Sequence, residues 1–313
     1  MQQKMPKHQL HPRNVHRDGY DFAKLVQACP ALSAYVSPSP SGQLTIDFSD
    51  PKAVLLLNKS LLADAYGYQE WSIPEGSLCP PVPGRADYVH YLADLLGSGN
   101  GGQPPHGGGV QILDIGVGAS GIYPILGRAL YGWSFHGVDI SPEALQALAA
   151  HLAANPHFKA GVSISLQQDP GQVLKGAITG KAVYDAVACN PPFYASAAAA
   201  AEENERKWRK LGKAAAGRNF AGQAGELWCE GGERGFITRY ISESRELPTR
   251  CFWYTTLVSR SAHLPYFERL LNESGANAVH VQPMGQGQKV SHMLCWTYLS
   301  APLQRDWARF RWQ

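Results

Sequence analysis

A strand that runs straight into a glycine turn and then into a helix admits very few architectures. Val110-Gln111-Ile112-Leu113-Asp114-Ile115 is apolar except at Gln111 and Asp114 and reads as a buried strand. Gly116-Val117-Gly118-Ala119-Ser120-Gly121 follows with Gly-x-Gly-x-x-Gly spacing, and a helical pattern starts at Ile122. Glycines there permit a tight turn and let a ligand approach the backbone. Alone the spacing is weak evidence; between a strand and a helix it has the context it requires. Residues 133–139 form the next strand, which ends in Asp139, 21 positions past Gly118. A carboxylate there can accept both hydrogen bonds of a ribose 2′,3′-diol. Ser141-Pro142-Glu143 then opens a helix with Ser141 as N-cap.

Further strands are predicted at 162–166, 184–189, 251–258, 277–282 and 291–299, with helices at 85–96, 230–244 and 264–274. Five parallel strands and a terminal hairpin make an α/β fold that resembles the seven-stranded, Rossmann-like sheet of class I methyltransferases. Residues 81–313 are assigned to that domain. Residues 18–80 are predicted to form a small, separate, mainly helical N-terminal unit. It holds helices at 21–29 and from Pro51 to about Tyr66, the latter capped by Asp50. Residues 1–17 carry Lys4, Lys7, Arg13 and Arg17 and no acid. They read as a flexible basic arm that contacts phosphates, Arg13 included. Gly-rich residues 97–109 are expected to form a surface loop, and the aromatic, Arg-rich tail at 305–312 to pack as an amphipathic end.

Composition excludes several classes. The six cysteines lie no closer than 22 residues apart and form no CxxC pair, so neither a zinc nor a dithiol redox site is expected. Scattered single cysteines suit a reducing cytosol, and no run of 18 apolar residues predicts a membrane span. A net charge of +3 says little by itself about nucleic acid. The chain is expected to act as a cytoplasmic monomer, without a metal.

The chemistry is read from Asn190-Pro191-Pro192-Phe193. Tandem prolines stop the strand at 184–189 and place these residues at its C-terminal edge, where open α/β sheets bind ligands. The Asn190 amide oxygen and the Pro191 carbonyl offer two acceptors, and Phe193 a flat face. Together they suit a planar amino group such as the exocyclic amine of adenine. A dinucleotide or S-adenosylmethionine fits the glycine turn and Asp139 equally. Asp114, just before Gly116, favours the cationic amino group of a methionine moiety and opposes a pyrophosphate. Residues 195–230 then read as a functional loop, with Arg206, Lys207, Arg209 and Lys210 around Trp208. Basic residues interleaved with an aromatic suit stacking and phosphate contact on single-stranded nucleic acid. DNA adenine and protein glutamine remain alternative targets. A nicotinamide oxidoreductase and a non-catalytic RNA-binding protein remain alternative classes.

Asp114-Ile115-Gly116-Val117-Gly118-Ala119-Ser120-Gly121-Ile122-Tyr123-Pro124 and Cys189-Asn190-Pro191-Pro192-Phe193 resemble the 23S rRNA (adenine-1618-N6) methyltransferase family. That family is related to the eukaryotic U6 snRNA adenine-N6 methyltransferase. The resemblance extends to His11-Pro12-Arg13-Asn14, Gly84-Arg85-Ala86-Asp87-Tyr88, Glu226-Leu227-Trp228-Cys229-Glu230-Gly231-Gly232-Glu233 and Gln286-Gly287-Gln288-Lys289. It implies S-adenosylmethionine as cofactor, touched by Arg85, Gly116, Ser120, Asp139, Asn190 and Gln168. It implies 23S ribosomal RNA, or a large-subunit assembly intermediate, as partner. Lys289, in the last of these motifs, joins the expected RNA contacts.

Overall fold

The computed structural model describes residues 9–196, 198, 228–286 and 289–312; the basic cluster at 206–210 lies outside them. The chain begins with α1 (Phe22–Ala28), a small antiparallel pair β1 (Val36–Pro38) and β2 (Leu44–Ile46), and α2 (Pro51–Tyr66). Asp50 caps α2 as expected, its carboxylate accepting from the Lys52 and Ala53 backbone N–H groups. Then come α3 (Val82–Ser98), β3 (Gln111–Ile115), α4 (Ile122–Tyr131), β4 (Ser134–Asp139), α5 (Pro142–Ala153) and α6 (Pro156–Lys159). The rest comprises β5 (Val162–Leu166), β6 (Tyr184–Cys189), α7 (Gly232–Arg245), β7 (Cys251–Val258), α8 (Leu264–Glu273), β8 (Ala278–Gln286), β9 (Lys289–Thr297) and α9 (Ala301–Trp312).

Seven strands form one sheet in the order β5-β4-β3-β6-β7-β9-β8. The first five are parallel, and β9 runs antiparallel between β7 and β8. This is the expected class I methyltransferase arrangement. β6 and β7 are buried at every position, which suits central strands covered on both faces. The β8–β9 hairpin is longer than the apolar pattern predicted, pairing from Ala278↔Thr297 out to Gln286↔Lys289. Polar residues such as Gln282 and Ser291 interrupt the apolar pattern of its outer half, although Met284 and Met293 there are buried.

The N-terminal unit is not separate. Leu25, Leu57, Leu61 and Leu62 share one continuous apolar core with Ile112 of β3 and Leu126 of α4. So small a block has too little apolar surface to bury alone, and it covers one helical layer instead. Residues 9–17 are likewise folded, not a free arm. His11, Asn14 and His16 are buried, and Arg13 is tied to α3 and α4. The tail packs as expected: Trp307, Arg311 and Trp312 of α9 all donate to the buried carboxylate of Asp185 on β6.

Candidate active site

Register builds the site. Ile115 pairs with Val138 on one side and with Cys189 on the other, and Asp139 pairs with Leu166. Gly116, Asp139, Gln167 and Asn190 therefore stand together where adjacent strands end, along one sheet edge. A cavity of about 610 Å³ opens there, lined by Arg85, Gly116, Gly118, Ser120, Asp139 and Asn190 among others. A smaller cavity of about 230 Å³ lies beside it, lined by Asp87, Phe193, Leu257, Ser259 and Met284. Arg85 and Asn190 line both.

The glycine turn is held from two sides. Gly116 has φ 72°, and a Cβ on it would meet nothing, so the backbone faces open space. Gly121 has the opposite reason: a Cβ there would lie 2.4 Å from Leu148 Cδ1, so only glycine lets α4 start against α5. Asp139 ties the turn to β4, Oδ2 accepting from the Gly118 N–H at 2.8 Å and Oδ1 from the Ser141 N–H at 2.9 Å. From the N-terminal side, Trp71 Nε1 donates to the Ser120 carbonyl at 3.0 Å and His151 Nε2 to the Ala119 carbonyl at 2.9 Å. A carbonyl only accepts, so the His151 proton sits on Nε2, and Nδ1 accepts from Tyr68 Oη at 2.6 Å.

A second relay joins α3 to the strand that carries Asn190. Thr255 Oγ1 donates to the Val187 carbonyl at 2.6 Å, Tyr88 Oη to Thr255 Oγ1 at 2.6 Å, and the Cys189 N–H to Tyr88 Oη at 3.3 Å. Arg85 lies one turn earlier on α3 and donates to Tyr123 Oη at 3.1 Å. Burial pushes the Tyr123 hydroxyl up to about 12, so it stays a neutral phenol. Burial also raises the pKa of Asp139, against three backbone N–H bonds that lower it.

Asp114 departs from expectation. It is fully enclosed beneath the turn and does not itself line the large cavity, whose wall starts at Ile115. Burial first and the nearby Asp139 second push its pKa well above the ordinary carboxylate range, with Arg85 opposing. An isolated charge at that depth is too costly. Its Oδ1 is buried and unpaired, as is Oδ1 of Asn190.

The remaining expected residues divide clearly. Pro191 is buried behind Asn190, Pro192 lines the large cavity and Phe193 the small one. Gln168 is exposed and outside the cavity; Gln167, buried and bonded to the Lys175 carbonyl at 2.7 Å, lines it instead. Arg13 reaches neither cavity, because Asp94 takes its guanidinium at 2.6 Å. Arg206, Lys207, Trp208, Arg209 and Lys210 lie outside the described residues, as does the side chain of Lys289. Tyr123, Trp228, Glu230, Phe236 and Arg239 were not singled out as site residues yet line the large cavity. Tyr123, Trp228 and Glu230 stand inside the quoted motifs, which was the available signal. Trp228 forms an isolated parallel bridge with Tyr194.

The residues fit S-adenosylmethionine. The large cavity presents an open glycine backbone, a carboxylate at the second strand and the Arg85 cation. The unpaired Asn190 amide oxygen adjoins a second, base-sized space. Among the described residues no cluster of metal-ligating side chains occurs, and no helix is long and apolar enough to cross a membrane.

Similarity to known proteins agrees with this geometry. A family model described as RNA methyltransferase matches residues 4–300. "Ribosomal RNA large subunit methyltransferase F" of Cronobacter sakazakii is 51% identical over 303 residues, covering 96% of this chain and 97% of its own. The protein of that name from Pseudomonas paraeruginosa is 47% identical over 308 residues, covering 97% and 92%. Among solved structures, the hMettl16 catalytic domain in complex with a MAT2A 3′UTR hairpin superposes with a TM-score of 0.79. Its identity is 28%, and 93% of this chain and 96% of that one are covered. The N-terminal domain of human METTL16 in complex with SAH gives a TM-score of 0.73 at 26% identity, covering 93% and 99%. The sheet order, the paired cavities and these similarities converge: the chain belongs to the RNA methyltransferase family and is an S-adenosylmethionine-dependent enzyme.

Proposed function

We propose that the protein methylates N6 of an adenine in large-subunit ribosomal RNA, met as free 23S RNA or in an assembly intermediate. The carrying observation is Asn190, whose unpaired amide oxygen belongs to a side chain shared by both cavities. The bound cofactor supplies an electrophilic methyl group on a sulfonium. Arg85 would hold its carboxylate end, Asp139 its ribose diol, and the open turn at Gly116, Gly118 and Ser120 its body.

Asn190 accepts one N–H of the adenine amine, and the Pro191 carbonyl accepts the other. Two acceptors pull the nitrogen towards tetrahedral geometry and expose a lone pair that is otherwise delocalised into the ring. Phe193 lies against the base in the small cavity and fixes its angle. Positioning is the main contribution to rate. The adenine must be unpaired or extruded to enter so enclosed a space. No general base is needed, because the product ammonium proton is acidic enough to leave to water. Arg206, Lys207, Trp208, Arg209, Lys210 and Lys289 are proposed to hold the RNA strand by phosphate contact and stacking. The names of the ribosomal relatives and the RNA hairpin bound by the structural neighbour support RNA over DNA and protein.

Asn190→Ala tests the reading. It is expected to lower single-turnover methyl transfer at least about a hundredfold, while calorimetric binding of S-adenosylhomocysteine changes little. Undiminished transfer would remove the amide from the mechanism.

A further inference from the structure

The loop after β5 forms one wall of the large cavity, through Gln167, Pro170, Gly171, Gln172 and Val173. It starts beside Asp139, whose carbonyl accepts from the Gln167 N–H at 2.8 Å. It then turns into the protein, where Val173 and Leu174 are buried in one apolar core with Ile237 and Ile241 of α7. These loop residues belong to no strand or helix, so their buried N–H groups must find acceptors elsewhere. A single side chain supplies them. Glu243 of α7 is only 8% exposed and accepts from the Val173 N–H at 3.0 Å through Oε1 and at 3.1 Å through Oε2. Its Oε2 also accepts from the Leu174 N–H at 2.7 Å and from the Lys175 N–H at 2.8 Å. The Lys175 carbonyl in turn accepts from Gln167 Nε2 at 2.7 Å, which closes the loop on itself. Glu243 lines neither cavity.

We propose that Glu243 is a positioning residue for the cofactor, which acts by fixing the loop after β5 as a wall of the large cavity. The inference rests on the reading that places S-adenosylmethionine in that cavity. Three consecutive N–H groups converging on one carboxylate fix the backbone of residues 173–175 relative to α7. Without the carboxylate those donors must be hydrated or left unpaired, and either outcome moves Gln172 and Val173 at the cavity. Phe236 and Arg239 of α7 line the same cavity, so one helix sets two parts of its wall. Asn190 and Pro191, which hold the reacting nitrogen, stand at the end of β6 and not on this loop. The effect of Glu243 therefore falls on cofactor affinity and not on the transfer step.

The test uses the full-length enzyme, with S-adenosylhomocysteine as the calorimetric probe and an RNA fragment carrying the adenosine found methylated. Glu243→Ala is expected to raise the Kd for S-adenosylhomocysteine and the KM for S-adenosylmethionine about tenfold. Its kcat at saturating cofactor and its KM for RNA should stay within about twofold of wild type. Glu243→Gln keeps one acceptor oxygen and should lose only about threefold in affinity. Two controls separate this from a general structural defect. Glu246→Ala removes the same charge one turn nearer solvent, where it pairs with Lys175 at 2.9 Å, and should leave the Kd unchanged. Asp185→Asn weakens the fold away from both cavities and should also leave it unchanged. A folded Glu243→Ala enzyme with wild-type affinity would overturn the proposal, as would a loss confined to kcat. Should Glu243→Ala fail to fold, Glu243→Gln decides, since wild-type affinity there would overturn the proposal equally. If Arg85→Ala and Asp139→Ala both bind S-adenosylhomocysteine as wild type does, the placement of the cofactor is refuted instead.

Discussion

Asn190 is useful because of what surrounds it: an apolar strand behind, rigid prolines after, and a cavity on either side. Gln167 shows how sharply such placement is set. Its backbone N–H bonds the Asp139 carbonyl at 2.8 Å, one step beyond the Asp139↔Leu166 pair, and this turns the side chain inward. Gln168, the next residue, faces solvent. Gln167→Ala is expected to weaken cofactor affinity by about tenfold, the worth of one or two hydrogen bonds, and Gln168→Ala to leave it unchanged. Calorimetric titration with S-adenosylhomocysteine separates the two, and the reverse order would contradict the register. Residue types at strand ends were legible in the sequence, because glycine, proline and acid punctuate the apolar runs. A one-residue phase after β5 was not, since either glutamine satisfies the same pattern. The hydrogen bonds of Asp87 were hidden for a different reason. Its partners, His11 and Asn14, are more than 70 positions away, at 76 and 73 residues.

At the scale of elements, the folded N-terminal segment is the main revision. Basic charge without acids reads as a free arm, yet Asp87 and Asp94 on α3 supply the missing acids in space. Two buried histidines make this element acid-sensitive. His16, bonded to Tyr66 Oη at 3.0 Å, has its pKa lowered by burial from 6.5 to about 4. His90, whose Nε2 is buried without a partner, is also lowered to about 4. Both are neutral when folded, whereas the unfolded chain takes up protons near 6.5. Stability is therefore complete above pH 6.5 and falls as pH drops from there to about 4. For His16 alone the loss is ~3 kcal/mol. Hydrogen exchange of residues 9–17, corrected for intrinsic rate, should accelerate between pH 7 and pH 4.5 before the central strands respond. Equal protection at the two pH values would contradict the buried neutral imidazoles. Helix boundaries, by contrast, were close to the sequence expectation wherever caps marked them, as at Asp50 and Ser141.

At the scale of the whole molecule, the sheet is clamped at the edge opposite the site. Asp185 is fully buried and accepts from Trp307, Arg311, Trp312 and the Gln111 N–H at 2.6 Å. Asp185→Asn leaves the Arg311 guanidinium without its counter-charge and should cost about 3 kcal/mol of unfolding free energy. Chemical denaturation reads this directly, and a loss below roughly 0.5 kcal/mol would show that α9 is only loosely attached. The overall architecture was legible because short strands and helices follow one another as strand–helix–strand–helix–strand–strand from β3 to β6, an order that points to a parallel, doubly wound sheet. The shared core of the N-terminal unit was not, because an amphipathic helix does not state what covers its apolar face.

The most direct measurement is methyl transfer from labelled S-adenosylmethionine, offered separately to large-subunit ribosomal RNA, DNA and protein, with nucleoside digestion of the product. Label recovered as N6-methyladenosine from the ribosomal RNA alone is the predicted result. Label in DNA or protein, or in an RNA nucleoside other than N6-methyladenosine, would contradict the account.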